Sequence, residues 1–429
     1  MGRVHNLFAH LKQTYKDEGI VKSAKFLRNK VKSVYSARGV QGVVDKISTI
    51  SAQIDIPGFY GFVTNDTPIP LDVSQREEAE KNGTILLNWI IPEMGIGSGG
   101  HMNIFRFISL LEDRGIHNRI YVCDATKYLT DRDLRDFLDA HYNITNNQVE
   151  AFCSTDSISF AHGTVATGWQ TAYFVRRFQN TISKFYFVQD FEPMFFPMGS
   201  EYLIAENTYN FGFRGITAGE WLKKKLHDEY HMHTDSFLFS YDRGIYKPGT
   251  KRDDKKRLFL YARPVTPRRC FEIALLALCR LHERLPEIEV VFAGWDVSNY
   301  RIPFLHLNAG NLSLQELPDL YAQCDICVVM SSTNLSLLPV EVMASNSVVA
   351  CTAGPNNDWL INEDNAIVIP NDPIGIADKL YEALQDPEYL ERLRKNGLAF
   401  AQSYASWEDE ADKVYRYILE GIKADESKA

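Results

Sequence analysis

Short apolar runs, rich in β-branched and aromatic residues, recur along this chain, and stretches with helically spaced apolar positions separate them. Residues 84–91, 119–124, 157–161, 184–189 and 215–218 make a first series, and residues 257–262, 289–293, 304–307, 325–330, 347–351 and 366–369 a second. Continuous apolar runs of this length fit strands buried on both faces, and strands alternating with helices give parallel sheets covered on both sides. At 429 residues the chain exceeds one ordinary domain. The pattern therefore predicts an α/β chain with two doubly wound, parallel-sheet, Rossmann-like domains facing across a cleft and joined near residues 241–254. Helices are expected at 101–114, 271–284, 315–323, 338–345 and 374–384, with residues 54–73 as linker or irregular cover. A final helical stretch, 386–424, is expected to pack back across both domains. The implied division is a helical N-terminal extension with linker (1–80), a first domain (81–245), a second (246–405) and a terminal helix (406–429).

Charge is uneven. Residues 1–46 carry ten Lys and Arg against three Asp and Glu, a balance of +7, while the whole chain stands at -9. Ile20, Ala24, Leu27, Val31 and Val34 fall at helical spacing within that arm. Such a basic amphipathic helix suits an anionic membrane surface, or else docks on the body with its lysines in water. The acidic remainder argues against nucleic acid as a partner. No apolar run is long enough to cross a bilayer, and no signal-peptide core opens the chain. Seven scattered Cys fit reduced thiols, so a cytoplasmic protein is expected, with possible peripheral contact to the inner face of the plasma membrane. Cys324 and Cys327 have CxxC spacing, but a strand there is expected to turn them to opposite faces, and no second pair completes a zinc site. No metal and no cofactor are expected.

The chemistry concentrates at the ends of the predicted strands. Arg263 and Arg268 follow the run 257–262, and two guanidiniums there can clamp a diphosphate. Far downstream, Glu341 opens a helix, where a carboxylate can accept hydrogen bonds from a nucleoside's sugar hydroxyls. Thr333, Asn334, Leu335, Ser336 and Leu337 lead into that helix and offer backbone N–H groups to phosphate. Asn311 and Leu312 can present backbone groups to a nucleobase. In the first half, Gly97, Gly99, Gly100 and His101 form a Gly-rich turn at a helix start, suited to an anion or a sugar. Gly95, Gly97 and Gly100 match G-x-G-x-x-G, and Asp124 is the acid a dinucleotide site would use, but Pro92, Glu93 and Met94 spoil the tight strand–turn–helix geometry. Asp190 and Glu192 follow the run 184–189, where carboxylates can orient a sugar hydroxyl or accept its proton.

These residues resemble GT-B glycosyltransferases, especially family 4, which carry an Arg, a Lys five positions on, and two Glu with seven residues between. Arg263 matches the Arg, Arg268 stands where Lys is usual, Glu341 matches the second Glu, and Thr333 replaces the first. Residues 92–102, 188–193 and 205–209 resemble the branch of the S-layer glycan rhamnosyltransferase WsaF. The resemblance implies a GT-B fold and retaining transfer of a sugar, with rhamnose from dTDP-rhamnose the leading expectation, onto a growing cell-surface glycan or lipid-linked glycan. Arg263 and Arg268 would stabilise the departing diphosphate, Asp190 would orient the acceptor hydroxyl, and Glu341 would hold the nucleoside. A GT-B nucleotide-sugar epimerase and a non-catalytic sugar-nucleotide- or glycan-binding subunit are the alternatives.

Overall fold

The structure is a computed structural model that describes residues 55–123, 125–142, 144 and 148–427. The basic arm and Asp124 lie outside the described residues. The chain divides into two units, one ending at Asn65 and one running from Asp66. In the first unit the expected irregular cover is instead partly helical. Asp55 caps the helix Ile56–Thr64 by accepting from the Gly58 N–H, and Pro57 sits where a helix has no use for its missing donor.

The second unit holds two parallel sheets. The first comprises β1 (Ile85–Pro92), β2 (Ile116–Cys123), β3 (Glu150–Phe152), β4 (Ala161–Ala166), β5 (Thr181–Val188), β6 (Arg214–Ala218) and β7 (Thr234–Phe237), in the order β3-β2-β1-β4-β5-β6-β7. The second comprises β8 (Arg257–Tyr261), β9 (Glu289–Ala293), β10 (His306–Gly310), β11 (Ile326–Val329), β12 (Val348–Thr352) and β13 (Ile367–Ile369), in the order β10-β9-β8-β11-β12-β13. β4, β11 and β12 are buried along their whole length, as strands covered on both faces must be. The helix Phe271–Arg284 shows why the covering helices form: Phe271, Ala274, Ala277, Leu278 and Leu281 make one apolar stripe toward the sheet.

Three expected elements move. The strand expected at 157–161 is β4, which passes through His162, Gly163 and Thr164 and so reads as polar. Gly163 is needed there, because a Cβ would stand 3.0 Å from the Phe185 ring and 3.1 Å from Leu87. The strand expected at 304–307 is β10, an edge strand of mostly intermediate burial. The final stretch is two helices, Pro387–Ser403 and Trp407–Glu426, separated where Tyr404 turns extended and Ser406 forms a capping box with Asp409. The expectation for the CxxC pair also changes. Cys324 lies just before β11, beside the strand as expected, but both thiols are buried in one apolar cluster rather than turned to opposite faces. All seven cysteines are free thiols.

The terminal helix Trp407–Glu426 packs on the first sheet. Ala411, Val414, Ile418 and Ile422 join that sheet's core, and Gly421 lies so close that a Cβ would stand 3.0 Å from Phe185. Asp425 accepts from Arg214 Nη2 at 2.8 Å, and the Glu410 carboxylate accepts the Leu238 N–H at 2.9 Å. Among the described residues, no helix is long and apolar enough to cross a membrane.

Candidate functional site

In each sheet the strand order reverses beside the first strand of its series, between β1 and β4 and between β8 and β11. Loops leaving such neighbouring strands diverge and open a crevice at their C-terminal ends. In the second domain those loops are 263–269 and 331–337. They are tied together where the Ser332 N–H donates to the Arg268 carbonyl at 2.9 Å.

The loop after β8 is rich in cations, with Arg263, Arg268 and Arg269. Arg263 Nε, Arg268 Nε and Arg269 Nη1 are all buried without a hydrogen-bond acceptor. The Arg263 guanidinium carbon lies 5.8 Å from the centre of the Trp295 ring, and that of Arg268 lies 4.2 Å from the centre of the Phe195 ring. Burial is the main influence on Arg268 and pulls its pKa down, with Asp190 opposing it. Unpaired buried guanidinium N–H groups are costly, and three lie around this one loop. The sequence reading missed Arg269; its only signal was its position beside Arg268.

The first domain contributes Asp190, just beyond β5. Its Oδ1 accepts the N–H groups of Phe191 (2.9 Å) and Asn334 (2.8 Å), and its Oδ2 accepts the Thr333 hydroxyl (2.8 Å). Arg268 Nε lies 3.3 Å from Oδ2, an ion pair without hydrogen-bond alignment. Burial raises the Asp190 pKa, and Arg268 is the strongest influence against it. Asn334 Nδ2 also donates to the carbonyls of Gln189 (2.9 Å) and Ala218 (2.8 Å), so the loop after β11 is bound to the ends of β5 and β6.

Glu192 sits behind this contact. Its Oε2 accepts the Trp169 N–H at 2.6 Å, at the start of the helix Trp169–Arg177, and the Tyr186 hydroxyl at 3.1 Å. Burial pushes its pKa up to about 8 despite both donors. The Gly-rich turn lies on the same side. Gly97 has φ 73°, and nothing stands within 4 Å of where a Cβ would lie on Gly97 or Gly99, so their backbone faces open space. Ser98 is the helix N-cap but bonds to His101 Nδ1 at 2.8 Å instead of to the backbone, leaving the helix start without a side-chain cap. Burial lowers the His101 pKa to about 4, so the ring is neutral at pH 7. Gln189, not foreseen, donates to the Gly100 carbonyl at 2.9 Å and accepts from Asn103 at 3.1 Å, linking this turn to Asp190.

The structure thus gathers Asp190, Arg268, Thr333 and Asn334, with Glu192 and the Gly97–Gly100 turn adjoining. The remaining candidates all belong to the second domain. Leu335 is buried in the second domain's core, and Ser336 and Leu337 lead into the helix Leu338–Ala344. Glu341, in the first turn of that helix, is 6 % exposed, and burial pushes its pKa up to about 8 against the pull of Tyr246 and Arg106. Exposed Asn311 and half-buried Leu312 follow β10, two strands from β8.

Residues 256–381 match the family described as the C-terminal domain of WsaF. The O-antigen biosynthesis protein RfbC of Myxococcus xanthus is 30% identical over 341 residues, covering 77% of this chain, and the chain spans only 27% of that protein's length. The chain has the GT-B fold, and its second domain is similar to the C-terminal domain of WsaF. Its GT-B architecture is shared with sucrose-phosphate synthase from Thermosynechococcus elongatus at a TM-score of 0.59 and 12% identity, over 78% of this chain and 99% of that one. The Anabaena protein HepE in complex with UDP and glucose superposes at 0.55 with 15% identity, over 79% of this chain and 100% of that one. At such identities these likenesses establish the fold alone. Within this GT-B chain, Thr333 stands eight positions before Glu341, and its hydroxyl is engaged by Asp190 from the other domain.

Proposed function

We propose that this protein is a retaining glycosyltransferase of polysaccharide biosynthesis, transferring rhamnose from dTDP-rhamnose to a growing cell-surface glycan. The observation that carries the reading is the set of three buried, acceptor-less guanidinium N–H groups on Arg263, Arg268 and Arg269 at the switch point of the second sheet. A nucleoside diphosphate supplies the missing hydrogen-bond acceptors, and cations held in place stabilise the charge that builds on it as the sugar departs. The HepE complex with UDP and glucose supports a nucleotide-sugar donor, and the O-antigen relative supports a polysaccharide acceptor. The rhamnose assignment rests on the likeness to WsaF.

In this reading the bond between the anomeric carbon and the diphosphate oxygen breaks, and the acceptor hydroxyl attacks from the same face. Its proton passes to the leaving diphosphate oxygen, so no enzymic nucleophile is needed. Asp190 orients that hydroxyl, Glu341 holds the nucleoside sugar, and the open Gly97–Gly99 backbone accompanies the diphosphate from the first domain. Domain closure keeps water from the donor.

The test is a donor panel of dTDP-rhamnose, UDP-glucose and UDP-N-acetylglucosamine, each with an O-antigen-type oligosaccharide. Nucleoside diphosphate release from dTDP-rhamnose that requires the oligosaccharide is expected; release from no donor overturns the reading. Arg263→Ala is expected to weaken dTDP binding by roughly 10-fold or more, the worth of a charged hydrogen bond. The +7 charge of residues 1–46 further supports peripheral attachment to anionic membrane. Deleting them is expected to abolish sedimentation with phosphatidylglycerol vesicles, and undiminished sedimentation would refute that attachment.

A further inference from the structure

Asp190 and Arg268 belong to different domains and meet in the cleft. A carboxylate has about four lone-pair sites. On Asp190 three are filled by the Phe191 N–H, the Asn334 N–H and the Thr333 hydroxyl, and Arg268 Nε stands against the fourth at 3.3 Å. Arg268 Nε has no aligned hydrogen bond, so the ion pair is not sustained by its own geometry. What sets the carboxylate beside the cation is the pair Thr333 and Asn334, each 1 % exposed. Asn334 further grips the first domain through the Gln189 and Ala218 carbonyls. Held this way, Asp190 has no site left for an acceptor hydroxyl, and Arg268 already faces an anion.

We propose that Thr333 and Asn334 are positioning residues that set Asp190 on Arg268, where its carboxylate holds the place of the donor diphosphate until a nucleoside diphosphate displaces it. Donor binding moves Arg268 from carboxylate to diphosphate and frees a lone pair on Asp190 Oδ2. That lone pair then receives the acceptor hydroxyl, so donor binds before acceptor. No covalent bond changes in this exchange. The inference rests on the donor reading above and adds that the ligand-free site is occupied by the protein's own carboxylate.

Calorimetric titration with dTDP and with UDP tests it on four full-length proteins: wild type, Asp190→Asn, Thr333→Val and Thr333→Ser. Asp190→Asn removes the competing charge. Thr333→Val exchanges the hydroxyl for a methyl group and leaves the charge in place. A resting state that must open first lowers apparent affinity by the fraction already open, so loosening it raises affinity. Asp190→Asn and Thr333→Val are expected to bind nucleoside diphosphate more tightly, by about tenfold if one charge-assisted hydrogen bond is lost. Thr333→Ser, which keeps the hydroxyl, is expected to match wild type. A purely structural Thr333 gives no such gain. If wild type binds and neither Asp190→Asn nor Thr333→Val binds more tightly, the proposal is overturned while the donor reading stands. If no protein binds either nucleotide, the donor reading fails and this inference fails with it. Thermal transitions recorded on the same samples identify a variant that does not fold, and should Thr333→Val be that variant, Asp190→Asn alone decides.

Discussion

Glu192 shows how one buried carboxylate leaves a signature on the whole protein's pH response. Burial raises its pKa from the ordinary 4.5 to about 8, so the folded chain keeps a proton that the unfolded chain releases. Stability from this source is full below pH 4.5, declines as pH rises, and is gone above about 8. Glu341 shifts the same way for the same reason and adds to the decline. Glu192→Gln keeps an acceptor for the Trp169 N–H and has no proton to lose. Melting temperatures between pH 5 and 8 are therefore expected to fall less steeply in Glu192→Gln than in wild type; identical slopes would show that Glu192 is ionised in the fold.

At the scale of elements, two turns that each place a glycine at positive φ differ in what surrounds them. Gly97 and Gly219 both have positive φ, 73° and 83°. A Cβ on Gly97 meets nothing within 4 Å, whereas one on Gly219 would stand 2.8 Å from the ring of Trp359 in the other domain. Alanine is expected to cost about 1–2 kcal/mol at Gly97 for its positive φ, and about 1–3 kcal/mol at Gly219, whose φ of 83° with ψ of 161° is open almost only to glycine. Gly219→Ala adds the displacement of Trp359, so its loss on urea denaturation is expected to be the larger, with a shift in tryptophan emission that Gly97→Ala lacks. The elements themselves were largely legible in the sequence, because β1, β5, β8, β9, β11 and β12 are apolar on both faces. β4 was misplaced because a central strand built around Gly163 carries little apolar signal. The three-residue β3 and the polar-looking β7 escaped for lack of length and pattern. In the site, Asp190 and the Arg263–Arg268 loop were readable because they directly follow strong strands. The bond from Thr333 to Asp190 was not, since it joins residues 143 positions apart and depends on how the two domains meet.

At the scale of the molecule, the chain crosses between the two domains twice, once before β8 and once between the helices Pro387–Ser403 and Trp407–Glu426. Arg243 Nη2 donates to the Tyr404 carbonyl at 2.7 Å, joining the two crossings side by side. A paired connection of this kind favours rotation about one axis over free swivelling, which suits a cleft whose opposing loops must return to the same partners. The terminal helix has another consequence, in the order of synthesis. The first sheet is complete once the ribosome has made β7, yet Phe185, Arg214 and the Leu238 N–H wait for partners on the chain's last helix. The second domain has all its strands and can close its core earlier. The half made first is therefore the half that finishes folding last, and a nascent chain stalled before residue 407 would present an uncovered sheet to the cell's chaperones.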